Sequence, residues 1–385
     1  MSKAVSQFID LVRWIATMFV AVHHVNNVFI NQADIMKAPH DAPVYVWWFL
    51  TAYTFAHGAV VVFFVISGFL VGGAIIERSQ GTRPYLRNYL IDRSIRIYIV
   101  LLPALAYSYF ADSIGARLFA GLGVYEHPVY QAAMRLEYLA ATVVSLQGVW
   151  SPTFGTNGAL WTLGMEFWFY VICGLVLLPR STAYTTSARW TGFALGLAIF
   201  AVLAISPSFF LFGAGVWAIG AAARIAPRPL MRSKWLALAT WLVVMTIIRL
   251  VTHGEVILRQ PLAGAIDAVN ALLFANVLLA LRFDNGEGFA WARSPIHTWL
   301  SNFTYSLYVT HWPTLMWLQA LAVMYFGVGW TQQLATPTHY AVAIASVLFL
   351  VLFAYLFSRA TEAKTDVARR WLRSALPGES KPQSA

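Results

Sequence analysis

The sequence predicts an all-α integral membrane protein, a polytopic bundle of about ten spanning helices with one short re-entrant or interfacial helix. Composition is the first reason. Of 385 residues, 59% are hydrophobic and only 11% are charged, whereas a soluble domain carries about 25% charged residues. Run length is the second. Apolar stretches of about 20 residues recur along the chain, which suits helices and not barrel strands. The third is charge placement. The formal charge of +10 reads as lysine and arginine in cytoplasmic loops and not as a nucleic-acid surface. The lone cysteine, Cys173, lies in an apolar run and excludes a disulfide framework.

Taken in order, the first span is Phe8–Phe29, followed by a polar loop from Asn31 to Pro43. It is not expected to be a cleavable signal, because His23 and His24 interrupt its core and no small-residue cleavage site follows. Val44–Ile76 is too long for one straight span, so a tilt or a break is expected near His57-Gly58 or Ser67-Gly68. A basic segment with Arg78, Arg83, Arg87, Arg93 and Arg96 precedes the third span, Ile97–Ile114. Tyr138–Trp150 is short enough to be the interfacial or re-entrant helix. Later spans are expected at Ala159–Leu178, Trp190–Ile205, Phe209–Ala223, Trp235–Thr252, Gly264–Leu281, Thr298–Tyr325 and Tyr340–Phe357, with a tight turn at Ser206-Pro207-Ser208. One membrane domain then covers 1–373, and the polar tail 374–385 is expected to be disordered.

Charge tests this topology. With the N-terminus inside and Tyr138–Trp150 left out of the span count, the outside set is Lys37, Arg117, Arg135, Arg249 and Arg259. All the rest of the 26 lysines and arginines fall inside. That asymmetry places both termini in the cytoplasm.

The first span is the oddest, since it carries Asp10, Arg13, His23 and His24. Each ionisable group in lipid costs about 2.5–3.5 kcal/mol on insertion scales. At about 100° per residue, Arg13 and His24 fall within roughly 20° of one another. Asp10, Arg13, His24 and Asn27 therefore read as one polar stripe, with His23 pointing elsewhere. A polar seam that only joins helices is the plainer alternative, although Ser, Thr and Asn would serve it more cheaply.

Four other stretches repeat the oddity. VVFFVISGF, Val61 to Phe69, ends in Ser67 and a glycine, a ligand hydroxyl or a packing pair. Arg93 and Arg96 lie three apart on one helix face, where two guanidinium groups suit phosphate or ordinary headgroup anchoring. LWTLGMEFWFY, Leu160 to Tyr170, sets Glu166 among aromatic residues, where it must be protonated or paired, with Arg13 or His24 as the expected partner. SNFTYSLYVTHWP, Ser301 to Pro313, holds Ser306, Tyr308 and His311, as ligand contacts or as helix glue.

Together these motifs resemble acyltransferase family 3, membrane proteins that O-acylate sugars and other hydroxyl-bearing molecules. The resemblance rests on Asp10, Arg13 and His24; on FFVISGF; on Arg93 and Arg96 in RSIRIY; on Trp161, Glu166 and Tyr170; and on Tyr305, Tyr308, His311 and Pro313. It spans about Phe8 to Ser358. One departure is visible: the family's arginine motif runs directly into a proline, whereas Ile99 stands there and Pro103 comes later. The family's fused extracytoplasmic esterase-like domain is not expected.

The resemblance implies an acyl-CoA donor, most often acetyl-CoA, with no metal, and a glycan or lipid-linked sugar acceptor at a bacterial cytoplasmic membrane. It makes His24 the general base or transient acyl carrier, with Arg13 stabilising charge and Asp10 or Glu166 orienting it. Arg93 and Arg96 would hold CoA phosphates. Ser67, Tyr308 and His311 would line the tunnel, with Trp161 and Asn27 towards the acceptor. The rival is a proton-coupled transporter of a small polar or anionic substrate, since paired charges at depth mark carriers too. The chain lacks the internal repeat that carriers often show.

Overall fold

The computed structural model describes residues 1–31, 39–206, 208–252, 262–286, 288–327, 330 and 335–375. It is 79% helical, with no strand among the described residues. Ser2 opens helix α1 (Lys3–Phe29) by accepting the Val5 N–H. The second apolar stretch is three helices: α2 (Ala42–Leu50), α3 (Tyr53–Ser67) and α4 (Gly73–Arg78). The chain breaks at Thr51-Ala52, and a π-helical turn, Gly68–Gly72, follows Ser67. A break at Ser67-Gly68 was one of the two expected, whereas His57-Gly58 lies inside α3.

The glycines explain the π turn. A Cβ on Gly68 would lie 1.9 Å from the Trp217 carbonyl oxygen, and one on Gly220 would lie 2.1 Å from that of Val65. Two backbones therefore touch where α3 meets the later helix that carries both Trp217 and Gly220, a contact that only glycine permits.

Helix α5 (Leu86–Leu118) extends upstream of the span expected from Ile97 and carries Arg93 and Arg96 as the helix face expected of them, with Pro103 internal. A polar residue does not end a helix that has somewhere to dock. Short helices α6 (Pro128–Ala133) and α7 (Leu136–Val143) follow. They match the non-spanning character expected near Tyr138–Trp150. Beyond them come α8 (Trp161–Val176), α9 (Thr186–Ala204), α10 (Phe210–Ile225), α11 (Lys234–Val251) and α12 (Leu262–Arg282). Thr185 and Ser233 cap α9 and α11 with their hydroxyls. The expected single span from Thr298 is two helices, α13 (Pro295–Ser301) and α14 (Thr304–Phe326). The chain closes with α15 (Pro337–Ala360) and α16 (Thr365–Ala375). Of the turn at Ser206-Pro207-Ser208, Pro207 lies outside the described residues, as does most of the tail, whose Ser374 and Ala375 end α16.

Among the described residues, eight helical stretches are long and apolar enough to cross a membrane. Helix α10 is shorter, and α14 is made less apolar by its Thr, Ser and His. With these two the count matches the sequence reading, and the protein is an integral membrane bundle. Helix α1 runs through its centre, packed on α3, α12, α13, α14 and α15. Helices α9, α11 and α15 carry exposed rows such as Leu195, Val243 and Leu352, which suit lipid.

Candidate active site

Five helices converge on a cavity of about 280 Å³. Arg13 comes from α1, Ser67 from α3, Arg93 and Arg96 from α5, Glu166 from α8 and Tyr308 from α14. These residues lie far apart in sequence, and the bundle brings them to one chamber.

Its acidic wall is a directed chain of hydrogen bonds. The Tyr170 hydroxyl donates to Glu166 Oε1. Its single hydrogen is thereby used, so Ser67 Oγ donates to Tyr170, 3.0 Å away. Ser67 in turn accepts from Trp217 Nε1 at 3.2 Å. Glu166 is thus partnered by Tyr170, four residues along its own helix, and not by the expected Arg13 or His24.

Arg13 is held differently too. Its Nη2 donates to Thr304 Oγ1 at 3.3 Å, and it forms no ion pair among the described residues. Asp10 accepts from Thr298 Oγ1 (3.0 Å) and Ser301 Oγ (3.3 Å), which docks α1 on α13. Neither acid bonds to the Arg13 guanidinium, so its direct orientation by Asp10 or Glu166 is replaced by Thr304.

At the mouth, Arg93 and Arg96 have neither a hydrogen bond nor an ion pair among the described residues, and Arg93 Nε is buried without a partner. Arg93 is half-buried and Arg96 is exposed, so the one buried donor of the pair left unsatisfied is Arg93 Nε, which an anion at the mouth would complete.

His24 lies outside this chamber. Thr17, on the chamber wall, precedes it by seven residues, which is about 10 Å of helix. Tyr308 closes the gap: its hydroxyl donates to the Ala159 carbonyl and accepts from Thr162 Oγ1 at 2.6 Å. Behind it, His24 Nδ1 meets His311 Nε2 at 2.8 Å, the two rings stacked within 8°. His311 is buried and sets the tautomers. Its Nδ1 faces the carbonyls of Leu307 (3.1 Å) and Tyr308 (2.8 Å), so that nitrogen carries the hydrogen. His311 Nε2 is then an acceptor, and His24 Nδ1 donates to it. The lone pair of neutral His24 is left on Nε2, which has no partner among the described residues. Trp312 packs edge-on against the His24 ring at 4.4 Å.

The remaining expectations fall elsewhere. Asn27 is exposed and donates to His23 Nε2 at 3.0 Å, so it turns to the His23 side of α1 and leaves the proposed stripe. Trp161 packs edge-on against Phe209, away from the cavity lining. Two acids escaped the sequence reading. Glu362 accepts from both N–H (3.0 Å) and Oγ (2.9 Å) of Ser306. Buried Asp112 accepts from Thr156 N and Oγ1, both at 2.8 Å. Asp112 thereby fixes the loop in which Asn157 donates to the Val309 carbonyl at 2.8 Å. A lone acid inside an apolar run is the signal that marks Asp112.

A family model described as an acyltransferase domain matches residues 6–362, nearly the whole chain. This protein belongs to acyltransferase family 3. No curated protein and no solved structure matches it. As a membrane-embedded acyltransferase it acts on a hydroxyl-bearing acceptor, which sets aside the carrier reading. The matched region takes in every residue of the chamber and both stacked histidines, and it ends at Glu362. Helix α16 lies beyond it.

Proposed function

We propose that this acyltransferase moves an acetyl group from acetyl-CoA to a hydroxyl of a lipid-linked or exported glycan at the bacterial cytoplasmic membrane. The observation that carries the reading is the pair Arg93 and Arg96, without hydrogen-bond or ion-pair partners among the described residues, at the mouth of a chamber that ends at Tyr308, in front of the His24 layer. With the N-terminus cytoplasmic, as the charge asymmetry favours, the mouth faces the cytosol and His24 lies towards the outer side. The guanidinium groups take the phosphates of CoA. A chamber of about 280 Å³ is at the small end for a ligand site. It therefore takes the pantetheine arm and leaves the nucleotide at the mouth.

His24 Nε2 removes the acceptor's hydroxyl proton as the oxygen attacks the thioester carbonyl. The C–O bond forms, the C–S bond breaks, and the proton passes to the CoA thiolate. His24 Nε2 is equally the atom that would carry the acetyl group in a two-step route. Arg13, eleven residues and about 16 Å of helix before His24, lends positive charge to the chamber along the donor's path and does not reach the oxyanion. In the present arrangement Tyr308 and Thr162 separate chamber and base, so the acyl end reaches His24 when that hydrogen bond parts.

The test uses purified protein in liposomes with acetyl-labelled CoA and bacterial glycolipid extract. The expected result is free CoA together with label in the glycolipid, released by mild alkali as an ester is. Label that resists alkali, or no CoA release with any donor or extract, overturns the reading.

A further inference from the structure

Asp92, Arg93 and Arg96 share one turn of α5. Asp92 stands four residues before Arg96, the spacing and polarity that favour a carboxylate–guanidinium pair along a helix. Left alone, α5 would therefore neutralise its own arginine and set a negative charge beside any incoming phosphate. That pair does not form. Both Asp92 oxygens accept from Arg373 Nη2, at 2.7 and 2.8 Å, and Arg369 Nε lies 3.2 Å from Oδ1. Arg369 and Arg373 are four apart on α16, so one face of that helix delivers both. Asp366, one turn earlier, holds Arg369 at 2.7 Å. The root of α16 is fixed as well, because the turn Glu362–Lys364 ties α14 through Ser306.

We propose that α16 is a latch that draws Asp92 away from the arginine pair and so sets the affinity for the anionic end of the donor. This rests on the reading of Arg93 and Arg96 as the donor's phosphate site. Asp92, Arg369 and Arg373 are positioning residues: they touch no substrate and act through Arg96.

The experiment uses the full chain in nanodiscs. Calorimetry with free coenzyme A measures affinity, and steady-state assays with acetyl-CoA give KM and kcat. Arg369→Gln/Arg373→Gln is expected to weaken CoA binding by about tenfold and to raise KM alike, with kcat unchanged. Adding Asp92→Asn to that variant is expected to restore CoA affinity, since the competing carboxylate is gone. A triple variant that stays weak overturns the proposal, because α16 would then act by shape alone. A double variant that binds CoA as the wild type does also overturns it. Arg93→Gln/Arg96→Gln separates the two readings. If that variant loses CoA while the α16 variants keep it, only the latch fails; if it keeps CoA, the donor site fails and the latch with it.

Discussion

His23 and His24 are neighbours in sequence and opposites in chemistry. His23 is buried with both nitrogens engaged: Nδ1 donates to the Thr51 carbonyl at 2.7 Å, and Nε2 accepts from Asn27. His24 spends one nitrogen on His311 and keeps the other. The same side chain is a strut in one place and, in the proposed mechanism, a base in the next. What differs is the valence left over once the protein's own hydrogen bonds are counted.

The largest effect that would sharpen this contrast is at His24 itself. His24→Ala is expected to lower CoA release by about 10²–10⁴-fold, the usual worth of a general base. His23→Ala is expected to keep turnover within a few fold. It would lower stability by about 1–3 kcal/mol, because the Thr51 carbonyl loses its buried donor, and thermal unfolding in detergent reads that loss. A folded His23→Ala protein as dead as His24→Ala would break the comparison. Next comes His311→Ala, which removes the acceptor that holds the hydrogen on His24 Nδ1. A fall in kcat of about 10–10³-fold with unchanged donor KM is expected, and His311→Gln, which keeps an acceptor oxygen, should recover part of it.

A smaller effect is expected at the chamber mouth. Arg93→Lys exchanges a fork for a point charge and should raise donor KM about tenfold without moving the pH profile. The smallest is a control far from both histidines. Lys234 Nζ lies 2.6 Å from Asp284 Oδ2 and donates to it, which holds that carboxyl below the ordinary aspartate range. A depressed acid stabilises the fold above its unfolded pKa, and the contribution disappears as pH falls through the folded value. Lys234→Met should therefore lower the melting temperature slightly at pH 7, less near pH 3, and leave kcat alone. A kcat that tracks this melting change would mean that activity follows stability, and the histidine contrast would lose its force.

Much of this arrangement was legible from residue order. Apolar runs located the helices, charge too costly for lipid marked Arg13 and Glu166, and helical spacing marked Arg93 and Arg96; the four share one chamber. The sequence suggests Arg13 or His24 as the partner of Glu166, but Tyr170, four residues on along the same helix, takes it, and the same spacing turns Asn27 from the stripe to His23. The His24–His311 contact joins residues 287 positions apart, and no local pattern reports such a pair. Helix α5 also runs upstream of the span expected from Ile97, because apolarity locates the membrane and not the end of a helix that continues past it.

The crossing of α3 and α10 has one more consequence. Gly68 meets the backbone at Trp217, and Gly220 meets the backbone at Val65, so each partner's clearance is set by main chain that no substitution can shave away. The two segments are a fulcrum. Because Ser67 sits beside this pivot, the chamber wall it belongs to has little room to swing, and breathing that admits a long flexible substrate falls to the other side of the bundle, where the Tyr308 hydroxyl holds Thr162 and the Ala159 carbonyl.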